Sequence, residues 1–243
     1  MLLALLSLAC ATPSSPKPSA PQGLGGGDAV DTADPTPRAP LQLALPLLER
    51  DRFTTVVGKD DDPEVQADTA LGRLTCADHQ GRGFPHCYDE HEGTDYILRG
   101  GFGAMDEGSA AVYAAASGMV LRIEDGNYDR CHGSIETGDV DCDGHEMKAN
   151  RVVIEHETGH TTHYLHLQMG SVAVEEGQLV AMGDPVGRVG SSGRSSMPHL
   201  HLTLEDAEGS RIDPYAGVLS QPETWWCEQV AADGLPGPCG EAR

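Results

Sequence analysis

Short runs in which apolar and polar residues alternate fill most of the chain after residue 90. The clearest run is HLHLTLE, residues 199–205, where a period of two places two histidines and a threonine on one face and three leucines on the other. Further runs are TDYIL, AVYAAASGMVLRIE, NRVVIEHE, TTHYLHLQ, SVAV, QLVAMG and PVGRVG, separated by Gly, Pro, Asp and Asn. Long helical periodicity is absent. The pattern predicts a mostly β fold built on an antiparallel sheet or barrel, with few short helices.

The N-terminal region has a different pattern. Residues 1–9 form an apolar run that is too short to span a bilayer and predicts an export signal. The run ends in SLAC, which resembles a bacterial lipobox, so a lipid anchor at Cys10 is expected alongside the alternative of secretion without an anchor. Residues 11–42 are rich in Pro, Gly and Ser and predict a disordered tether. Residues 43–220 are expected to form the main domain and residues 221–243 a C-terminal tail.

The net charge limits the partners that the chain could bind, and the cysteine content indicates the compartment in which it folds. The formal net charge is −22, from 38 acidic and 16 basic residues, which argues against nucleic acid or an anionic membrane surface as a partner. Apart from Cys10, the cysteines fall into three close pairs, which are Cys76 and Cys87, Cys131 and Cys142, and Cys227 and Cys239. Six cysteines allow many pairings, but local disulfides are favoured because each would close a short loop in a polar, Gly-rich segment. Because disulfides persist mainly outside the cytoplasm, they agree with the predicted export of the chain.

A polar, acidic segment interrupts the strands at residues 125–149. The cysteines at 131 and 142 lie inside it, so it is expected to be an insertion held by a disulfide. Within it, Asp139, Asp141 and Asp143 match the first half of a calcium loop. The twelfth position is Asn150, not a bidentate Glu. A calcium site and a plain acidic surface loop both remain open.

Three places in the chain could supply ligands for a metal ion. In HEGTD, an extended chain would project His91 and Asp95 on one face, with Gly93 leaving the space between them open. In TTHYLHLQ, alternation places His166 on the same face as Tyr164. In PHLHL, residues 198–202, two histidines lie about 7 Å apart on one strand face, given a rise of about 3.3 Å per residue.

Each of these signals is weak alone, but together they supply His and Asp donors suited to Zn²⁺, with spare histidines for proton transfer. Seven other histidines lie in polar or loop-like segments and are interpreted as surface or structural residues, namely His79, His86, His132, His145, His156, His160 and His163.

The order HEGTD, YLHL and PHLHL resembles the signature of the lysostaphin/LytM family of zinc metalloendopeptidases, which act on bacterial peptidoglycan. The resemblance covers about residues 91–204 and includes the glycine-spaced turns before the last histidines. It implies a barrel-sandwich-hybrid-like core with a zinc site in a groove. It also implies zinc ligation by His91, Asp95 and His201, and a catalytic pair formed by His166 and His199.

The resemblance implies a mechanism in which one zinc ion activates a water molecule for peptide hydrolysis. The expected substrate is a peptidoglycan cross-link or stem peptide. The chain is expected to be exported from a bacterial cell and to act in the periplasm, as an outer-membrane lipoprotein, or after secretion. A non-catalytic relative that binds the cell wall or activates another hydrolase is the alternative. Such relatives characteristically lose metal ligands, whereas this chain has all five expected residues.

Overall fold

The computed structural model describes residues 38–62, 75–134, 137–230 and 234–239. The expected export signal, Cys10 and the tether up to residue 37 lie outside these ranges. Within them, no helix has the length and apolar character needed to cross a membrane. In chain order the elements are β1 (Arg38–Leu43), a 3-10 turn (Arg50–Arg52), β2 (Phe53–Val57), β3 (Thr94–Leu98), α1 (Gly101–Gly108), β4 (Ala111–Tyr113), β5 (Gly118–Glu124), β6 (His132–Gly133), β7 (Val140–Asp141), β8 (Arg151–Glu155), β9 (Thr161–Leu165), β10 (Leu179–Val180), β11 (Pro185–Arg188), β12 (His199–Glu205), β13 (Arg211–Ile212) and β14 (Thr224–Trp226).

One eight-stranded antiparallel sheet carries the site. Its strand order is β10-β5-β8-β9-β12-β3-β2, and β13 pairs with β12 beyond the end of β3. The central strand β12 lies between β9 and β3, in a register that places His201 beside Asp95 on one side and beside Leu165 on the other. Residues of distant sequence segments thereby meet on one face of the sheet.

The hydrophobic core lies on the opposite face of β12. Leu200, Leu202 and Leu204 are at most 1% exposed and pack with Tyr96 and Tyr164 of the neighbouring strands. A fully buried leucine contributes about 1.5–3 kcal/mol of transfer free energy. The predicted division of this strand into a leucine face and a histidine face is therefore confirmed, and the core fixes the strand that carries two of the candidate site residues.

The two ends of the described chain pair with each other. β1 and β14 run parallel, and Leu43 and Trp226 are fully buried between them and the core. The tether was expected to extend to residue 42, but the structure places a strand from Arg38 because Ala39 and Leu43 can be buried against the C-terminal segment. The tail is likewise packed, through Trp225 and Trp226.

All three expected disulfides are present, joining Cys76 to Cys87, Cys131 to Cys142 and Cys227 to Cys239. The second bond lies inside residues 125–149, which connect β5 to β8 and contain the small hairpin of β6 and β7.

The calcium hypothesis is not supported by the geometry. Across the described ranges, the one group of three His, Cys, Asp or Glu side chains close enough to share a metal ion is found elsewhere, so Asp139, Asp141 and Asp143 do not form such a group. Asp143 instead accepts a hydrogen bond from the Tyr128 hydroxyl at 2.5 Å, and an Asp141 carboxylate oxygen accepts the Asp143 backbone N–H at 2.8 Å. These carboxylates therefore accept hydrogen bonds from the turn itself and from a neighbouring tyrosine.

Two expectations about strands were wrong in detail. Residues 111–124 form two strands rather than one run, since residues 114–117 bend the chain between β4 and β5. The SVAV segment forms no strand, although Val174 is buried in the core.

Candidate active site

Three acceptor atoms converge between β3, β12 and the loop that precedes β3. His91 Nε2 lies 3.2 Å from Asp95 Oδ1 and 3.2 Å from His201 Nδ1, and His201 Nδ1 lies 2.8 Å from Asp95 Oδ1. A tetrahedral zinc ion would hold such ligand atoms roughly 3.3–3.6 Å apart. The three residues form the one potential metal group among the residues that the structure describes.

In His91 and His201, the ring nitrogen that faces away from Asp95 is held by a hydrogen bond, which sets the orientation of the ring. His91 Nδ1 lies 2.6 Å from the Gly58 carbonyl oxygen, which can only accept, so Nδ1 carries the proton and Nε2 is left as an acceptor. His201 Nε2 lies 2.9 Å from Thr203 Oγ1. When this Nε2–H donates, His201 Nδ1 is also an acceptor. Two ring lone pairs and a carboxylate then face one point with no donor between them, which is the environment a divalent cation satisfies.

A glycine makes this approach of the loop to β12 possible. A Cβ atom at Gly93 would lie 2.5 Å from the Leu202 carbonyl oxygen, 2.7 Å from His201 Nε2 and 2.9 Å from Thr203 Oγ1. All three distances are below van der Waals contact. The expected open space at Gly93 is therefore occupied by the His201 ring and its hydrogen-bond partner.

The other two candidate residues lie beside the three acceptors. The ring centroids of His166 and His199 are 4.7 Å apart, and that of His166 is 5.7 Å from that of His201. His166 Nδ1 lies 2.7 Å from the Ser192 carbonyl oxygen, and His199 Nδ1 lies 2.7 Å from the Met197 carbonyl oxygen. Because carbonyls only accept, each ring directs Nε2 away from the backbone, and His199 Nε2 lies 3.4 Å from Asp95 Oδ1.

All five residues line one open groove of about 470 Å³. Residues 88–92 form one wall, with Asp89, Glu90 and Glu92 among them, and Ser134, Gly138 and Val140 of the insertion contribute to another part of the lining. Leu165, Ile97 and Arg194 also line the groove. The structure thus brings every predicted site residue into one cavity.

Burial and charge push the pKa values of the site residues in different directions. Burial raises the pKa of Asp95, but the neighbouring His91 and His199 overcome it, and the result is well below the usual value. Burial holds the pKa of His166 well below its usual value. For His199 the pKa is raised, since Asp95 outweighs the effect of burial.

Two further residues at the site are not among the predicted site residues. Tyr88 stacks on His91 with 4.2 Å between ring centroids, and its hydroxyl donates to Asp95 Oδ2 at 3.3 Å. Thr203 accepts from His201. Only Thr203 could have been found, because alternation along β12 places it on the histidine face.

Residues 89–214, about half of the chain, match the sequence model of peptidase family M23. The chain therefore belongs to this family, and the resemblance inferred from the motifs is confirmed at that level. The fold and the site thus agree with the class to which the sequence assigns the chain, a family of peptidases.

Individual relatives match over shorter lengths. Peptidoglycan DD-endopeptidase ShyB of Vibrio cholerae is 31% identical over 114 residues, which are 47% of this chain and 20% of ShyB. DD-carboxypeptidase/endopeptidase Mpg of Neisseria meningitidis is 39% identical over 82 residues, 34% of this chain and 18% of Mpg. The chain thus matches about a fifth of the length of these curated relatives.

Among solved structures, the catalytic domain of lysostaphin from Staphylococcus simulans superposes with a TM-score of 0.35 and 22% identity. The superposition covers 56% of this chain and 82% of that domain.

Proposed function

We propose that this chain is a zinc-dependent metalloendopeptidase that hydrolyses peptide bonds of bacterial cell-wall peptidoglycan. The observation that carries the proposal is the convergence of His91 Nε2, Asp95 Oδ1 and His201 Nδ1 on one point of an open groove. Three protein ligands facing a groove are typical of a catalytic zinc site, in which a fourth position is left for water. Two histidines and one carboxylate fit this role.

The proposed roles of the other residues follow from their hydrogen bonds. A bound zinc ion would lower the pKa of a water molecule toward about 7 and polarise the scissile carbonyl. His166 and His199 each use Nδ1 on a backbone carbonyl. His166 can therefore present Nε2 to the substrate or to water, and His199 Nε2, which lies 3.4 Å from Asp95 Oδ1, would do so once Asp95 binds the metal ion. The pair would accept the proton of the attacking water, stabilise the oxyanion and protonate the leaving amine.

Peptidoglycan is proposed as the substrate because the curated relatives ShyB and Mpg are named for endopeptidase activity, and ShyB for peptidoglycan. The candidate site lies in an open groove of about 470 Å³, not in a closed cavity. Action on the cell wall also agrees with the expected export signal and the three disulfides. The chain would then work in the periplasm, at a membrane through a lipid at Cys10, or after secretion.

The experiment compares wild-type protein with three variants for zinc content and for digestion of purified peptidoglycan. Wild-type protein should bind about one zinc ion and release muropeptides, and a chelator should stop the release. His201→Ala should lose zinc and activity. His199→Ala should keep zinc and lose activity by about 10²–10⁴-fold. His86→Ala is the control, since His86 is exposed and does not line the groove.

Two outcomes would contradict the proposal. Full activity and zinc content in both His201→Ala and His199→Ala would show that the site is elsewhere. Zinc binding by the wild type without release of any product would favour the alternative of a wall-binding protein or an activator of another hydrolase. Mass spectrometry of the products on defined peptidoglycan would identify the bond that is cut.

A further inference from the structure

Arg194 has an unusual position for a cation in this chain. Among the Lys and Arg side chains that the structure describes, it alone has neither a hydrogen bond nor an ion pair with another residue. The others bind carboxylates or backbone carbonyls, as Arg130 does with Asp106 at 2.6 Å and Arg151 with Glu124 at 2.5 Å. In a chain with a formal net charge of −22, an exposed arginine without a carboxylate partner is unexpected.

This arginine lines the same groove as the five candidate site residues. The other charged residues of the lining, apart from Asp95, are Asp89, Glu90 and Glu92, which follow Tyr88 in the chain and form an acidic wall of the groove. A negatively charged group in the groove would meet attraction at Arg194 and repulsion along the acidic wall.

The loop that carries Arg194 is held on two sides by hydrogen bonds. On the insertion side, the Cys131 N–H donates to the Ser191 carbonyl oxygen at 2.9 Å, and the Gly133 N–H donates to the Ser196 carbonyl oxygen at 3.0 Å. On the site side, the Ser192 carbonyl oxygen accepts from His166 Nδ1 at 2.7 Å. The backbone on either side of Arg194 is therefore tied both to the disulfide-closed insertion and to a proposed catalytic histidine.

We propose that Arg194 is a specificity-determining residue that binds a free carboxylate of the peptide substrate. The guanidinium has five N–H donors in a planar fork that matches a carboxylate, and here none of them is used by the protein itself. Apart from the proposed zinc site, Arg194 is then the place in the groove lining where a carboxylate is attracted, whereas the acidic wall repels it, and this difference sets the direction of the peptide. This inference rests on the proposed hydrolase function, because it assigns a substrate feature to the same groove.

The test uses two cross-linked peptides that differ in one group. One has a free carboxylate on the residue that donates the amine of the cross-link, and the other has a primary carboxamide there. Wild-type protein should show a value of kcat/KM about 10- to 100-fold higher for the carboxylate peptide, since a hydrogen-bonded charge pair is lost with the amide. Arg194→Gln should remove most of this preference by lowering kcat/KM for the carboxylate peptide alone. Arg194→Lys should keep part of it.

The matched control is Arg122→Gln, which removes an exposed arginine that pairs with Glu124 outside the groove lining. This variant should keep the full preference. Equal loss of activity on both peptides in Arg194→Gln, or an unchanged preference, would overturn the assignment.

Binding of the same two peptides to zinc-free protein, measured by calorimetry, separates this inference from the hydrolase proposal. If wild-type protein cuts neither peptide but binds the carboxylate peptide more tightly, and Arg194→Gln abolishes the difference, the Arg194 assignment stands and the hydrolase proposal fails. If wild-type protein cuts peptidoglycan and binds both peptides equally, the hydrolase proposal stands and the Arg194 assignment fails.

Discussion

Among the residues that the structure describes, two buried clusters combine histidine with carboxylate, and they differ in how the histidine is held. At the candidate metal site, His91 Nδ1 is fixed by the Gly58 carbonyl at 2.6 Å and its other nitrogen faces Asp95. In the second cluster, His79 is 5% exposed and lies 3.8 Å from Asp213 Oδ2, but neither of its ring nitrogens has a hydrogen-bond partner. His79 instead stacks on Tyr215, with ring centroids 4.8 Å apart.

Burial and residue type therefore do not by themselves make a metal site. At the candidate site, backbone and hydroxyl partners turn each ring so that its lone pair meets the carboxylate at a groove. In the second cluster the ring is held by stacking, and burial lowers the pKa of His79 while it raises that of Asp213 well above the usual value. A protonated carboxyl binds a cation poorly, whereas a neutral imidazole is the form that ligates metals, so the raised pKa of Asp213 is the change that disfavours a metal ion here.

The largest expected effect comes from making the same substitution in both clusters. His91→Phe keeps the ring that stacks on Tyr88 but removes a proposed ligand, so zinc content should be lost and peptidoglycan hydrolysis should fall by about a thousandfold or more. His79→Phe keeps the stack on Tyr215 and removes no hydrogen bond, so zinc content and activity should be unchanged. Metal analysis and a turnover assay on both variants test whether only the first cluster binds zinc and supports activity. Loss of zinc in His79→Phe would show that the two clusters are not functionally distinct.

An intermediate effect is expected from adding one methyl group at the candidate site. Gly93→Ala would place a Cβ 2.7 Å from His201 Nε2 and should displace the ring from Thr203. Loss of a hydrogen bond to the non-ligating nitrogen of a metal-binding histidine typically lowers metal affinity or activity by about 10- to 100-fold. Gly103→Ala in α1 is the matched control, because a Cβ there meets no atom within 4 Å. A zinc titration that gives equal affinity for both variants would contradict the role assigned to Gly93.

The identity of the site residues could be predicted from the sequence more fully than the orientation of their side chains. Strict alternation on β12 is enough to place His199 and His201 opposite the leucines, and β12 spans the same residues as the predicted run. The expectation for His166 was wrong in its physical basis. Tyr164 points into the core, whereas β9 ends at Leu165 and His166 has a φ of +62°, so the reversal of the backbone, not alternation, turns its ring into the groove.

Other features depend on contacts between distant segments and could not be read from a local pattern. Tyr88 reaches Asp95 because the loop before β3 folds back on the strand. Arg194 faces the groove because residues 191–196 are tied to the insertion and to His166. In the sequence it is one arginine in a Gly- and Ser-rich segment. Absence of an ion pair, its distinguishing property, is visible only in three dimensions.

The smallest effect is expected in the second cluster and concerns stability. Burial first, and then the negative charge of Asp61, raise the pKa of the Asp213 carboxyl, so ionising it opposes folding. The penalty is absent below the unfolded pKa of about 3.9 and grows as pH rises through the folded pKa.

Asp213→Asn keeps an oxygen that can accept the Tyr215 N–H at 2.8 Å and removes the titration. We therefore expect the variant to match the wild type near pH 4 and to be more stable at pH 8 by about 1 kcal/mol, the usual size of a single-site effect. Thermal unfolding from pH 4 to 8 measures this difference, with Asp51→Asn at an exposed position as the control. A stability difference for Asp213→Asn that does not change with pH would mean that the Asp213 carboxyl keeps its ordinary pKa in the folded chain. The proposed contrast with the ionised, partnered carboxylate of Asp95 would then be lost.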